Sequence, residues 1–201
     1  MVHIDSFLLG PVETRLSILT CLSTGISALI DVPFGSVEKL SSPLKIEKIL
    51  LTHSHWDHIG GLPEVITKYK PLVYVHEEDA PNVKNPGVDA LPCPFSIAPC
   101  SVDHFLKEEE TIHVGAVQIK VLHTPGHTPG SVCFYLPEQE ILFSGDTVFK
   151  GGMGSLRFAT ARPQLMRASL RKIASLPPKT TLIPGHGEET VLHKENWLMN
   201  S

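Results

Sequence analysis

Apolar positions along this chain fall mostly in short β-like runs and only rarely at helical spacing. The first thirty residues hold three such runs, Ile4–Leu9, Leu16–Leu22 and Ala28–Val32. They are broken at Gly10-Pro11 and Thr24-Gly25, which predicts a strand meander at the start of a sheet. Ser36–Leu40 predicts at most a short helix. Lys48–Thr52 is short and apolar, a buried-type strand. Gly61–Lys70 then places Leu62, Val65, Ile66 and Tyr69 on one helical face, with Pro63 suited to the first turn. Pro71–His76 reads as another strand. Glu77–Ser101 is irregular and carries Pro81, Pro86, Pro92, Pro94 and Pro99, as expected of a functional or mobile loop. The charge run Lys107–Glu110 predicts a solvated turn. Strand character returns at Thr111–Val114 and Val117–His123, then in a hairpin of Ser131–Leu136 with Ile141–Phe143. Arg162–Leu176 predicts a helix that packs through Leu165, Ala168, Leu170 and Ile173 and stops at Pro177-Pro178. Thr180–Ile183 predicts the last strand and Glu188–Leu198 a terminal helix. No repeat or linker divides the chain, so residues 1–201 read as a single domain.

Composition narrows the function classes. A content of 42% hydrophobic and 19% charged residues is that of an ordinary globular protein. No apolar run approaches the roughly 20 residues of a membrane span, and Asp5 interrupts the N-terminal stretch where a secretory signal would be apolar. A cytoplasmic protein without a membrane partner is expected. The net charge of −4, with no Lys/Arg block, gives no footprint for nucleic acid. Cys21, Cys93, Cys100 and Cys133 form no C-x-x-C pair and read as reduced thiols. A Cys93–Cys100 bridge across their Pro-rich loop is the alternative.

The chemistry concentrates in Thr52–Gly61, THSHWDHIGG, between a strand and a helix. His53 and His55 are two apart in an extended segment, so both can face one ion. The following turn can aim Asp57 and His58 at a second. Three later strand ends supply His127 (in TPGHTPGS), Asp146 (in SGDTVF) and His186 (in PGHG). Imidazoles with carboxylates suit zinc, iron or manganese. A hydroxide held between two such ions would be a strong nucleophile near neutral pH. Asp31 is either a turn residue before Pro33 or a partner for a ligand histidine. His76 and His104 read as satisfied or solvated side chains, and Phe149–Gly154 (FKGGMG) as a weak phosphate-loop candidate.

These motifs, in this order, resemble the metallo-β-lactamase fold superfamily, and within it the glyoxalase II-like (hydroxyacylglutathione hydrolase-type) enzymes. The resemblance implies an α+β fold, a four-layer αββα sandwich. It implies two divalent ions, zinc first, with iron or manganese as options. His53, His55 and His127 would hold one ion, and Asp57, His58 and His186 the other, with Asp146 bridging. Asp57 would also act catalytically by orienting the nucleophile. The implied reaction is hydrolysis of a small acyl thioester such as a hydroxyacyl-glutathione. Two departures weaken glutathione recognition. Glyoxalase II enzymes carry a C-terminal helical domain, and Ser155 stands where that family has a basic residue, leaving Lys150 and Arg157 as substrate-binding candidates. The alternatives are a mononuclear iron persulfide dioxygenase using His53, His127 and Asp146, a lactonase of the same fold, or a binding protein without catalysis. A β-lactamase is disfavoured, since that branch usually places Cys where Asp146 stands. Asp146→Asn is expected to weaken metal binding and lower the rate by orders of magnitude, and Asp103→Asn to change little.

Overall fold

The computed structural model describes residues 1–40 and 44–199. β1 (Val2–Leu9), β2 (Thr14–Cys21) and β3 (Ile26–Ile30) form the expected antiparallel meander. β4 (Lys45–Leu50) adds in parallel. The chain then passes through the single-turn α1 (Trp56–Ile59) and α2 (Leu62–Tyr69) to β5 (Leu72–His76), which is parallel to β4. A short α3 (Ala80–Lys84) precedes β6 (His104–Leu106), which closes this six-stranded sheet in parallel.

The second sheet also has six strands. β7 (Thr111–Val114), β8 (Val117–His123), β9 (Val132–Leu136) and β10 (Ile141–Gly145) run antiparallel in succession. After α4 (Pro163–Ala174), β11 (Thr181–Pro184) returns parallel to β10, and β12 (Thr190–Val191) forms the edge. A 3-10 turn (Leu192–Lys194) and α5 (Asn196–Met199) follow.

Two-residue periodicity dictates the layers, because successive side chains of a strand face opposite sides. Leu19, Ile30 and Leu50 point between the sheets and meet Val121, Phe134, Phe143 and Ile183. Their sequence neighbours Ile18, Leu29 and Ile49 point outward against Leu62 and Val65 of α2 and Val83 of α3. In the second sheet Cys133, Tyr135 and Leu142 face Met166, Leu170 and Ile173 of α4. The result is the αββα sandwich. Each fully buried Leu, Ile or Phe contributes about 1.5–3 kcal/mol, so the frame rests on these three apolar clusters.

Ser36–Leu40 is a set of turns, within the short helix at most that the sequence allowed. Three expectations need correction. The irregular stretch contains α3, and β6 begins soon after it, both too short for periodicity to signal. On α4, Met166 and Ser169 occupy the buried face while Leu165 is 41% exposed and Ala168 is exposed. Ser169 belongs there because its hydroxyl donates to the Pro125 carbonyl at 2.7 Å. Finally, 188–198 is an edge strand and two short turns. The Glu195 carboxylate draws this segment round by accepting from Thr190 Oγ1, Gly151 N and Trp197 Nε1 at 2.6–2.7 Å. All four cysteines are free.

Candidate metal centre

The site lies where the two sheets meet. Backbone bonds join them there: Val132 N–H donates to the Thr52 carbonyl at 2.8 Å, and Arg15 N–H to the Gly185 carbonyl at 2.7 Å. The loop after β4 brings His53 and His55, and α1 brings Asp57 and His58. Loops after β8, β10 and β11 bring His127, Asp146 and His186. All seven residues singled out in the sequence therefore converge.

They form three overlapping groups whose ligand atoms lie within 4.8 Å of one another: His53/His55/His127, Asp57/His58/His186, and His53/His58/Asp146 between them. Asp146 Oδ1 is 3.4 Å from His58 Nε2, and Oδ2 is 3.5 Å from His127 Nε2 and 3.6 Å from His186 Nε2. It thus stands between the first two groups. Gly185 allows this approach, since a Cβ there would sit 2.4 Å from Asp146 Oδ1 and 2.8 Å from the His58 ring.

Four of the five histidines are held from behind, which turns the other ring nitrogen of each inward. His58 Nδ1–H donates to Asp31 Oδ2 at 2.8 Å. His127 Nδ1–H donates to the Ser155 carbonyl at 2.9 Å, and His186 Nδ1–H to the Val12 carbonyl at 3.1 Å. His53 Nδ1 rests on Thr52 Oγ1 at 3.1 Å, and that hydroxyl itself donates to Asp31 Oδ2 at 2.7 Å. Such partners fix the tautomer and orient the ring for a metal. His55 Nδ1 faces His127 Nε2 at 2.9 Å, an arrangement that one proton or one cation satisfies.

The unsatisfied atoms of the donor set fit a metal. His53 Nε2, His55 Nε2, His58 Nε2 and Asp146 Oδ1 are buried without a hydrogen-bond partner. Buried polar atoms are rarely left so, and a divalent cation would engage imidazole nitrogens and a carboxylate oxygen together. The clusters are consistent with a dinuclear centre. Ionisation agrees. Burial, then the neighbouring histidines, holds His53 well below its usual range and lowers His55 to about 3, so both stay neutral. Burial opposes ionisation of Asp57 and Asp146, but His58 and further histidines outweigh it and hold both carboxyls below the usual range. His58 and His186 are raised, burial being overcome by the carboxylates around them. Asp57 is further fixed by Thr14 Oγ1, which donates to it at 2.8 Å.

Asp31 is the histidine partner rather than a mere turn residue. Its φ of +56° is unusual for a residue with a side chain, and three donors hold it there: Thr52 N–H, Thr52 Oγ1–H and His58 Nδ1–H. Two further positioning residues had no signal in the sequence, because they stand in the stretch read as irregular. Buried Asp79 accepts from Ser54 N at 2.8 Å, Thr128 Oγ1 at 2.9 Å and Gly130 N at 2.7 Å. It thereby ties the His53–His55 segment to the His127 loop. A Cβ at Gly130 would sit 2.5 Å from this carboxylate. Asn82 donates to the Ser54 carbonyl at 2.5 Å and to Asp89 at 2.9 Å.

The weak phosphate-loop reading fails. Phe149 and Gly152 bond to each other through their backbones, and Gly151 N–H and Gly154 N–H are spent on Glu195 and Asp146. His104 is satisfied by Glu110 at 2.6 Å. His76 stacks on His123, with centroids 4.0 Å apart and planes 11° apart, near Glu78. Parallel rings do not aim their lone pairs at a common point, and His123 Nε2 already meets the Pro129 carbonyl at 3.0 Å.

A cavity of about 360 Å³ opens over the centre. Its apolar wall is Val12, Trp56, Leu91, Pro92 and Phe158, and its floor includes His55, Asp57, His127, Asp146 and His186. Lys150 and Arg157 are exposed and outside this lining, and Lys150 pairs with Glu188.

The profile of the Metallo-beta-lactamase superfamily matches residues 26–186. A probable metallo-hydrolase of Bacillus subtilis, YqgX, is 32% identical over 90% of this chain and 88% of its own length. A hydroxyacylglutathione hydrolase of Jannaschia sp. is 35% identical over 82% of this chain, which spans only 58% of that protein. Among solved structures, the BLEG-1 B3 metallo-beta-lactamase superposes with a TM-score of 0.85 at 31% identity, and TTHA1623 in a di-iron-bound form with 0.81 at 33%. Each covers 96% of both chains.

Proposed function

This chain belongs to the metallo-beta-lactamase superfamily, and from that premise we propose that it is a dinuclear metal-dependent hydrolase of acyl thioesters. The observation that carries the dinuclear reading is Asp146, seated between two groups of donors that include the partnerless His53 Nε2, His55 Nε2 and His58 Nε2. His53, His55 and His127 would hold one ion, Asp57, His58 and His186 the second, and Asp146 both. Bound there, divalent ions would supply an activated water and polarise the substrate carbonyl near neutral pH. Zinc suits the donors, and the di-iron form of TTHA1623 makes iron the competing metal.

The chain's own residues do the rest. Asp57, anchored by Thr14 and 3.2 Å from His186 Nε2, accepts a hydrogen bond from the attacking water and so orients it. Trp56 and Phe158 screen the reacting atoms from solvent on the apolar side of the cavity. A thiolate leaves readily, so the site needs no strong general acid. The thioester itself is favoured by the similarity to the hydroxyacylglutathione hydrolase. The four unpaired cysteines suit a reducing compartment, and we place the enzyme in the cytoplasm.

A mononuclear oxygenase built on His53, His127 and Asp146 would leave Asp57, His58 and His186 without a task. Elemental analysis of zinc- and iron-loaded protein, run beside thioester turnover, decides between the two. Two equivalents with turnover are expected; a plateau at one equivalent with oxygen consumption on a persulfide would overturn the reading.

A further inference from the structure

The wall of the catalytic cavity is apolar where a charged substrate would need a counter-charge. Val12, Trp56, Leu91, Pro92 and Phe158 form it, and no lysine or arginine is among its described lining residues. Of the cations nearby, Arg157 is exposed and outside the lining, and three others are engaged elsewhere. Arg15 donates to the Pro184 and Gly187 carbonyls and faces Glu189 at 3.6 Å. Lys150 pairs with Glu188. Arg162 turns its guanidinium to the Thr160 and Ala161 carbonyls at 2.9 and 3.1 Å and lines a separate cavity beside Glu78 and Asp79. Leu91 is meanwhile held in place: its N–H donates to Asp89 Oδ1 at 3.1 Å, and Asp89 is bonded through Asn82 to the Ser54 carbonyl between two of the centre's histidines. The apolar wall is thus built into the same network that positions the centre.

Resting on the thioester-hydrolase reading, we infer that the substrate is an uncharged, apolar acyl thioester whose acyl chain packs against Trp56, Leu91 and Phe158. A carboxylate pressed against these walls would lose its water without gaining a partner. Each methylene buried there instead gains about fourfold in kcat/KM, until the cavity of about 360 Å³ is filled. A thiol carrier with two carboxylates, such as glutathione, finds no cation in this lining.

The test uses metal-loaded protein and thioesters of N-acetylcysteamine, a neutral thiol. Acetyl, butanoyl, hexanoyl and hemisuccinyl esters are compared with S-lactoylglutathione. kcat/KM should climb about fourfold per methylene from acetyl towards hexanoyl. The methyl-ended butanoyl ester should exceed the carboxylate-ended hemisuccinyl ester at least about tenfold, in keeping with the unpaired charge. Leu91→Lys, on a partly exposed loop, should lower hexanoyl turnover and raise hemisuccinyl turnover at unchanged metal content. A flat acyl series led by S-lactoylglutathione, or a Leu91→Lys variant that scales every substrate equally, overturns the inference but leaves the hydrolase standing. Absence of turnover on every thioester at full metal content overturns the thioester reading instead. Calorimetry with the non-hydrolysable hexanoyl and hemisuccinyl amides then still decides the pocket: tighter hexanoyl binding supports it, and equal or weaker binding refutes it.

Discussion

Asp146 concentrates the chemistry of the site in a single side chain, since one oxygen faces His58 and the other faces His127 and His186. Asp146→Asn keeps its size and removes one negative charge. Metal content should fall and turnover drop about a hundredfold or more, beyond the 10–100-fold typical of losing an outer partner of a ligand. Circular dichroism should not change, because the strands are held by the apolar clusters. Asp103→Asn is not the silent comparison the sequence suggested. That carboxylate accepts the Val73 N–H at 2.8 Å beside the junction of β5 and β6. Glu138→Gln, on the exposed β9–β10 turn, serves instead. Asp79 offers the complementary experiment, as it touches none of the seven donors. Its oxygens receive three donors, so Asp79→Asn turns an amide N–H against at least one of them. Affinity for the metal at His53, His55 and His127 should weaken by about 10–100-fold. The d–d spectrum of cobalt-loaded protein reads the change directly, and an unchanged spectrum and affinity would make Asp79 a purely structural carboxylate.

At the scale of elements, the chain was legible wherever a run was long enough to show its period. The meander, α2, the β9–β10 hairpin and the strands feeding His53, His127, Asp146 and His186 all stand close to where alternation put them. The seven donors were legible because four of them crowd into His53–His58, and His127, Asp146 and His186 stand beside glycine at strand ends, placements with few structural uses. α3, β6 and the final edge strand escaped because two to five residues carry no period, and Asp79 and Asn82 escaped with them. On α4 the error was one of phase: a polar Ser169 occupies the buried face through its bond to Pro125. The corrected face makes a sharp comparison. Ile173→Ala should destabilise by about 2–4 kcal/mol, as expected for a buried aliphatic side chain. Leu165→Ala should stay within about 0.5 kcal/mol, as an exposed position does. Urea midpoints at constant slope measure both, and equal losses would put the helix in the other phase.

Over the whole molecule, the donors divide between the sheets. His53, His55, Asp57 and His58 follow β4, while His127, Asp146 and His186 follow strands of the second sheet. Metal bound between them favours the assembled sandwich by mass action. At a free metal concentration a hundred times Kd, that amounts to about 2.7 kcal/mol. Chelation should therefore lower Tm by roughly 5–10 °C for a chain of this size, and zinc should restore it. A Tm indifferent to chelator would mean that the centre does not bind across the seam. The same division has a consequence in time. His53 to His58 are made early, but His127 lies 69 positions beyond His58 and His186 lies 128 positions beyond it. At about 5–20 residues per second, a ribosome needs roughly 6–26 seconds to travel from His58 to His186. The first loop thus waits as an incomplete chelate while the second sheet is made. The second group is complete only when the last strand has been delivered, so a chain stopped between Asp146 and His186 carries one finished group of donors and one unfinished.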